Sequence, residues 1–462
     1  MNTDKNQSGR GRHSIFYPYR QPLPALAPLV GDDTCGWRAE RNLFKALNHL
    51  HLLRRKEELA ERLAAHSVRT PPRTFETTYA VLAAHQHGEL VTADAFARLA
   101  RNAGLATHMA ESLLREYLPV GHMEFHPSDM CNLRCRGCTY RQGEEDISPA
   151  QVHFPYDRLD RLADLRPRSI LLSGGGEPTL YNVEGRRMDV LVRRLHEILP
   201  FALLALITNG THVPAGEWPQ LFKWMRVSID AATPETYSAF RRKPLFARVE
   251  RNLLHYLRTS PVPVGGTFLY SRANIQEYVL FLRRFLDLVR REEPHSLPRF
   301  NLSFRPLRQN PTDTGRDFPE AISEEDIHET VGQLLRFAAE SLDNARFLRE
   351  QTNAEAVVGG NEQPAMPFRR CYYSQIFHIV RASCDIRPCF VRVLDPGFSM
   401  GNIITDSHMT ISLRTLYIAA ARSPHCDAFG CRQCHINHVL EQGLAGALQP
   451  PAGPPAADDP FF

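Results

Sequence analysis

Ser128-Asp129-Met130-Cys131-Asn132-Leu133-Arg134-Cys135-Arg136-Gly137-Cys138-Thr139-Tyr140 is the stretch on which the reading of this chain turns. Three thiols at Cys-x3-Cys-x2-Cys spacing, directly behind the strand-like run Met123 to His126, suit an iron–sulfur cluster that keeps one iron free of protein ligands. A closed zinc site usually opens on a two-residue spacing and needs a fourth Cys or His close by. Here the next cysteine is Cys371. An iron left open is where chemistry can begin.

Outward from this loop the grammar is strand, then helix, repeated. Met123–His126 is followed by the cysteine loop and a helix near Tyr156–Leu165, Ser169–Ser173 by Arg186–Leu199, and Leu203–Thr208 by Trp218–Trp224. Arg226–Asp230 precedes a helix over Val249–Tyr256, Val264–Tyr270 precedes Ile275–Arg290, and Arg299–Arg305 precedes a helix opening at the capping box Ser323-Glu-Glu-Asp326. Six such units in series predict an α/β fold, a partial (β/α)6 TIM-type barrel, with chemistry at the C-terminal strand ends.

Polar motifs fall at those ends. Ser173-Gly174-Gly175-Gly176-Glu177-Pro178 follows the apolar run Ile170–Leu172, its glycines allowing close backbone approach and Glu177 offering a carboxylate. A simple turn is the plainer reading, and the Glu-Pro that follows disfavours a phosphate cradle. Thr208-Asn209-Gly210 and Ser228-Ile229-Asp230 close the third and fourth strands, where Ser, Asn and Asp also serve as ordinary helix caps.

Taken together, the trio, its place after the first strand and the Gly-Gly-Glu run resemble the radical S-adenosylmethionine (SAM) superfamily. The resemblance implies a [4Fe–4S] cluster on Cys131, Cys135 and Cys138 whose open iron chelates SAM, with cleavage to a 5′-deoxyadenosyl radical. It further implies that Gly175, Gly176 and Glu177 hold the methionine ammonium, that Ser228 and Asp230 take the ribose hydroxyls, and that Asn209 adds a polar contact at the barrel mouth. Arg305 is expected to meet the SAM carboxylate or a substrate anion. The family usually has an aromatic residue before the third cysteine, where this chain has Gly137, and Tyr140 is the expected substitute against adenine.

A second group, Cys371, Cys389, Cys431 and Cys434, with Gly401-Asn402-Ile403 between the pairs, resembles the twitch domain, a shortened relative of the SPASM domain. That implies an auxiliary [4Fe–4S] cluster; structural zinc on four cysteines is the alternative. Cys384 and Cys426 are surplus; either, Cys426 above all, could replace one of these four, and ordinary burial is the plainer reading of both.

Composition agrees with a large globular chain: 462 residues, 43% apolar, net charge +4. Disorder is excluded, nothing calls for nucleic acid or a membrane, and six of ten cysteines lie after Cys371 inclusive, a distribution suited to metal clusters in a reducing, cytoplasmic compartment. Residues 1–118 read as an irregular arm and helices, with Leu43, Leu47, Leu50 and Leu53 at helical spacing. Two helices about Asn102-Ala103-Gly104 imitate a helix-turn-helix without its basic face, leaving a cluster-switched regulator as a weak rival to an enzyme. The expected divisions are 1–118, a barrel over 119–350, a twitch-like domain over 351–440 and a flexible tail over 441–462.

The resemblance implies an oxidoreductase or dehydratase (lyase) fed by an external low-potential donor of flavodoxin or ferredoxin type. Relatives acting on aminoglycosides and aminocyclitols, together with a helical rather than strand-bearing N-terminal region, favour a polyhydroxylated small-molecule substrate of antibiotic-type metabolism. Maturation of a ribosomally made peptide is the alternative. Hydrogen abstraction from a carbinol carbon would end in a ketone or a dehydrated product. Glu124 and His126, on one strand face, and Tyr270, ending the fifth strand, are the catalytic candidates.

Overall fold

The computed structural model describes residues 49–59, 112, 114–140, 153–307, 319, 322–354, 357, 371–408, 410–412, 414–415 and 434–446. Its main sheet holds β1 (His122–Phe125), β2 (Ser169–Leu172), β3 (Leu203–Thr208), β4 (Phe222–Ser228), β5 (Val264–Tyr270), β6 (Phe300–Pro306), β7 (Phe377–Val380), β8 (Asp385–Arg387) and β9 (Gly401–Asn402). The spatial order is β9-β8-β7-β1-β2-β3-β4-β5-β6. All neighbours from β7 through β1 to β6 are parallel, while β8 and β9 fold back antiparallel. The six strands expected from the sequence are therefore present and consecutive. The C-terminal segment extends their sheet, His122 pairing with Phe377 and Phe125 with Val380.

Strand runs such as Ser169-Ile-Leu-Leu172, buried throughout, are continuous and apolar because helices cover the outer face. The main helices are α1 (Met188–Ile198), α2 (Pro234–Arg241), α3 (Phe246–Thr259), α4 (Tyr278–Glu292), α5 (Glu324–Ala339) and α6 (Leu342–Gln351). On α4, Tyr278, Phe281, Leu282, Phe285 and Val289 recur at helical spacing and are buried against the sheet. Phe281 meets Phe268 of β5 at 4.8 Å between ring centroids. The Ser323 capping box forms as expected, Ser323 Oγ accepting from Asp326 N at 3.1 Å and Asp326 Oδ2 accepting from Ser323 N at 2.9 Å.

Four local expectations need correction. Trp218–Trp224 is not a helix: one 3-10 turn, Trp218–Leu221, leads straight into β4, whose residues alternate in burial from Trp224 onward. Tyr156–Leu165 is 3-10 rather than α-helical, which fits its buried Leu159, Leu162 and Leu165 at intervals of three. The chain also inserts α2 between β4 and α3, capped by Thr233, whose side chain accepts from Thr236 N. A last helix, Cys434–Leu444, runs past residue 441, where the tail was expected to start. The helix-turn-helix-like segment lies almost wholly outside the described residues. Among the described residues no helix is long and apolar enough to cross a membrane.

Residues 49–59 are helical and bury Leu53 and Leu59 together with a cation, Lys56, which is 1% exposed. Its Nζ lies 4.6 Å from the Tyr117 ring centroid, and Tyr117 donates its hydroxyl to Gln375 Oε1 at 2.9 Å. Burial pulls the Lys56 ammonium down to about 7 from 10.5. Between those values the unfolded chain binds a proton that the folded chain does not, so stability rises with pH across that window. His378, held at about 3 by burial and then by the Lys56 charge, contributes above pH 6.5 and loses that contribution as pH falls toward 3. Lys56→Met should raise the melting temperature at pH 7, by on the order of a few kcal/mol of stability, and flatten the rise in stability between pH 7 and 10. A variant with the parent's slope would refute this account.

Candidate active site

The cysteine loop leaves β1 at the C-terminal edge of the sheet and is fastened along its length. Arg136 N donates to Phe240 O at 2.8 Å and Arg134 N to Arg241 O at 3.4 Å, tying it to the end of α2. Gly137 takes φ +67°, a left-handed turn that glycine adopts without strain. Cys131, Cys135 and Cys138 are half-buried and form no disulfide. Their sulfurs face donors: Leu133 N (3.5 Å) and Asn209 Nδ2 (3.8 Å) on Cys131, and Arg241 Nη1 (3.1 Å) on Cys135. Three thiols on one short loop, met by N–H groups and a cation, form a donor set suited to an anionic iron–sulfur cluster. Among the described residues no three His, Cys, Asp or Glu side chains converge on a single metal ion.

The glycine run after β2 packs directly on this loop. Gly176 N donates to Ser128 O at 2.8 Å and Glu177 N to Met130 O at 2.7 Å. A Cβ on Gly176 would stand 2.2 Å from Met130 O, so only glycine lets the two backbones meet. Gly174 and Gly175 both adopt positive φ, +56° and +50°, and a Cβ on Gly174 would strike the His126 ring. Glu177, expected to face an ammonium, is 2% exposed. Its Oε1 accepts from Thr179 N (3.1 Å), Thr179 Oγ1 (2.6 Å) and Thr208 Oγ1 (2.6 Å), and its Oε2 accepts from Asn209 N (2.6 Å). The carboxylate thus locks the end of β2 to the end of β3. Asn209 carries the link onward, donating to Asn132 Oδ1 at 3.0 Å beside Cys131.

Asp230, expected at the ribose, is also committed internally. It is 2% exposed, takes a left-handed φ of +64°, accepts from Leu269 N at 2.7 Å and pairs with Arg241 Nη2. Burial raises its pKa while Arg241 opposes the rise. Ser228, at the end of the same strand, is half-buried on the inner face and its register partner is Thr267.

The strand faces sort the remaining candidates. Phe268 packs on the helices, and Tyr270, two residues on, shares that face; its ring lies 5.2 Å from Tyr278 of α4. Tyr270 is fully buried outside the barrel and does not face its interior, correcting the catalytic expectation. His126 is fully buried beneath Gly174, with Nε2 2.9 Å from Glu124 Oε1 and 3.5 Å from the Tyr140 hydroxyl. It underlies the glycine loop and is hydrogen-bonded to Glu124. Tyr140 stands edge-on to His126 and Phe390, and burial followed by the Glu124 charge raises its pKa. Arg305 is exposed to solvent at the end of β6. Burial by the surrounding protein lowers its pKa, and the Glu124 and Tyr373 charges oppose that shift. Arg226 of β4 lies over the Trp224 ring at 5.0 Å.

Sequence reading missed Arg241, Asn132 and Thr211. Asn132 sits inside the cysteine loop, but its bond to Thr211 Oγ1 (2.8 Å) depends on the turn after β3 reaching across the end of β2 to that loop, which no spacing reveals.

In the second group, Cys371 and Cys389 are half-buried and pack against one apolar cluster of Tyr373, Phe377, Ile379 and Val393, which Tyr140 and Ile436 also touch. Asn437, on the helix that Cys434 opens, donates to Cys371 Sγ at 3.9 Å and accepts from Tyr373 N at 2.8 Å. The chain segments carrying Cys371, Cys389 and Cys434 thus meet, whereas Cys431 and Cys426 lie outside the described residues. Cys384 is 1% exposed and its thiol is pushed up to about 12 by burial and then by Asp385. Cys384→Ala should therefore leave iron and sulfide content unchanged after anaerobic reconstitution. Loss of either would make it a ligand.

The Radical SAM superfamily model matches residues 125–282, which span β1 to α4 and include both the cysteine loop and the glycine run. That part of the chain is a radical SAM domain. GTP 3′,8-cyclase of Syntrophomonas wolfei is 26% identical over 182 residues, 38% of this chain and 53% of the relative, so the chain spans about half that protein's length. Among solved structures, anSMEcpe with bound AdoMet is 18% identical, covering 69% of this chain and 85% of that one, at a TM-score of 0.45. SuiB of Streptococcus suis bound to S-adenosylmethionine is 15% identical, covering 78% and 81%, at a TM-score of 0.45.

Proposed function

We propose that this chain is a radical SAM enzyme that removes a hydrogen atom from a carbinol carbon of a polyhydroxylated, aminoglycoside- or aminocyclitol-like molecule. The observation carrying the reading is the junction of the cysteine loop with the glycine run and the end of β3, built from backbone bonds, Glu177 and Asn209. A [4Fe–4S] cluster held by Cys131, Cys135 and Cys138, when bound, supplies the electron that splits SAM into methionine and a hydrogen-abstracting 5′-deoxyadenosyl group.

The chain's own residues do the rest. Ser228 and the backbone of Gly175 and Gly176 line the edge where SAM would lie, and the barrel wall keeps water from the reacting carbon. Tyr140, at the end of the cysteine loop and edge-on to Phe390, would flank the adenine. Arg305 and Glu124 would offer the substrate a cation and a carboxylate, groups that suit a hydroxyl- and amine-bearing molecule better than an apolar side chain. Cys371, Cys389, Cys431 and Cys434 would hold an auxiliary [4Fe–4S] cluster on the side of the barrel that β7 closes, and an external flavodoxin- or ferredoxin-type protein would supply electrons.

The test is anaerobic reconstitution with iron, sulfide, SAM and a strong reductant, followed by incubation with carbinol-deuterated aminocyclitols and aminoglycosides. Deuterium should appear in 5′-deoxyadenosine. Formation of 5′-deoxyadenosine with no deuterium from any of them would discard the substrate class, and its absence altogether would discard the enzyme reading.

A further inference from the structure

Arg241 lies at the end of α2, is 8% exposed, and has no part in the chemistry outlined so far. Its guanidinium divides between two partners: Nη1 donates to Cys135 Sγ at 3.1 Å and Nη2 to Asp230 Oδ2. We propose that Arg241 is a positioning residue that raises the reduction potential of a cluster bound at Cys131, Cys135 and Cys138. The inference rests on the cluster proposed above and concerns how this chain tunes it.

Accepting an electron makes the cluster more negative, so a fixed cation at a ligand sulfur stabilises the reduced state more than the oxidised one. Hydrogen bonds to the sulfurs act in the same direction. Burial strengthens both effects, because little water screens the charge. The three cysteines are not treated alike. Cys131 meets neutral donors, Leu133 N at 3.5 Å and Asn209 Nδ2 at 3.8 Å, whereas Cys135 meets a cation at a shorter distance. A guanidinium stays protonated at any pH the protein meets, so this charge is fixed.

The cation is also aimed. Asp230 is fixed by Leu269 N on Oδ1 (2.7 Å) and by Asn274 Nδ2 on its carbonyl (3.0 Å). Arg241 O takes the Arg134 amide from within the cysteine loop at 3.4 Å. A planar fork is what allows one side chain to serve sulfur and carboxylate together, and a lysine cannot reproduce that arrangement. Asp230 tempers the cation, so the two residues pull the potential in opposite directions.

The experiment is an electron paramagnetic resonance redox titration of the full reconstituted chain without SAM, following the signal that Cys135→Ala lacks. Arg241→Gln should shift the midpoint to more negative potential, Arg241→Lys by less, and Asp230→Asn to more positive potential. Opposite shifts would establish electrostatic tuning, which a purely structural role would not produce. An unchanged midpoint in Arg241→Gln, or a shift of Asp230→Asn in the same direction as Arg241→Gln, overturns the proposal. If Arg241→Gln holds no cluster, the Asp230→Asn titration decides: no positive shift there overturns it equally. A parent protein that never binds the trio's cluster would instead defeat the proposed function itself.

Discussion

Cys135→Ala should abolish 5′-deoxyadenosine formation while leaving a folded chain that still carries iron. Cys135 occupies the middle of the trio, and its loop is held by backbone bonds to Phe240 and Arg241 that need no side chain from position 135. The variant therefore loses a ligand and an Arg241 partner without losing the loop. Two thiols cannot retain a cluster that three barely enclose, so roughly half of the bound iron should go, the remainder staying with the C-terminal cysteines. Anaerobic iron and sulfide assays, read beside chromatography for 5′-deoxyadenosine, check both expectations. Retained product would remove the trio from the chemistry. Loss of all iron would mean that the two cysteine groups do not load independently, although Tyr140 of the first loop packs on the same apolar cluster as Cys371 and Cys389.

Much of this site is visible in one dimension because its ingredients are local. The trio lies in one loop, the glycines lie in one turn, and each follows an apolar run that the parallel sheet buries whole, as Ser169–Leu172 and Leu203–Thr208 show. What the order of residues conceals is which face of a strand points inward. Tyr270 ends its strand as expected but lies on the face of Phe268, and that face meets the aromatic surface of α4. Alternation fixes which residues share a face; the inner side is decided by the partner layer. His126 is concealed for a related reason, since it shares the face of Glu124 yet is sealed by a glycine loop that arrives from the neighbouring strand.

The other hidden feature is commitment. Asp230 and Glu177 look available in the sequence because each ends a strand with a carboxylate, but their partners come from elsewhere: Arg241 and Leu269 for one, Thr208 and Asn209 for the other. The start of β4 was obscured differently. Trp218-Pro-Gln-Leu-Phe222 clusters apolar residues at helical intervals, yet Pro219 sits in a single 3-10 turn and Phe222 already belongs to the sheet. β7 escaped notice because Phe377–Val380 is short and follows the described barrel by a long stretch of chain, although it completes the pairing of β1.

Glu177→Gln should be far more damaging than its loss of one charge suggests. The parent carboxylate accepts four hydrogen bonds, two of them from backbone amides that cannot turn away: Thr179 N on Oε1 and Asn209 N on Oε2. A glutamine amide offers one acceptor end and one donor end. Placed with its oxygen toward Thr179, it sets an NH2 against the Asn209 amide; flipped, it sets the NH2 against the Thr179 amide. The hydroxyls of Thr179 and Thr208 can rotate to accept, but a backbone donor remains opposed in either orientation, at a cost of about 1–3 kcal/mol for a buried group left unpaired. Differential scanning fluorimetry should show the melting temperature falling by several degrees. Because Asn209 also reaches Cys131 Sγ and Asn132, the loosened link passes to the cysteine loop, and 5′-deoxyadenosine formation should fall by about tenfold or more. Thr179→Val, which removes a single hydroxyl donor and leaves both amides satisfied, should be milder in both measurements. Equal effects from the two variants, or a Glu177→Gln protein with parental melting and turnover, would show that the carboxylate does not hold the two strand ends together.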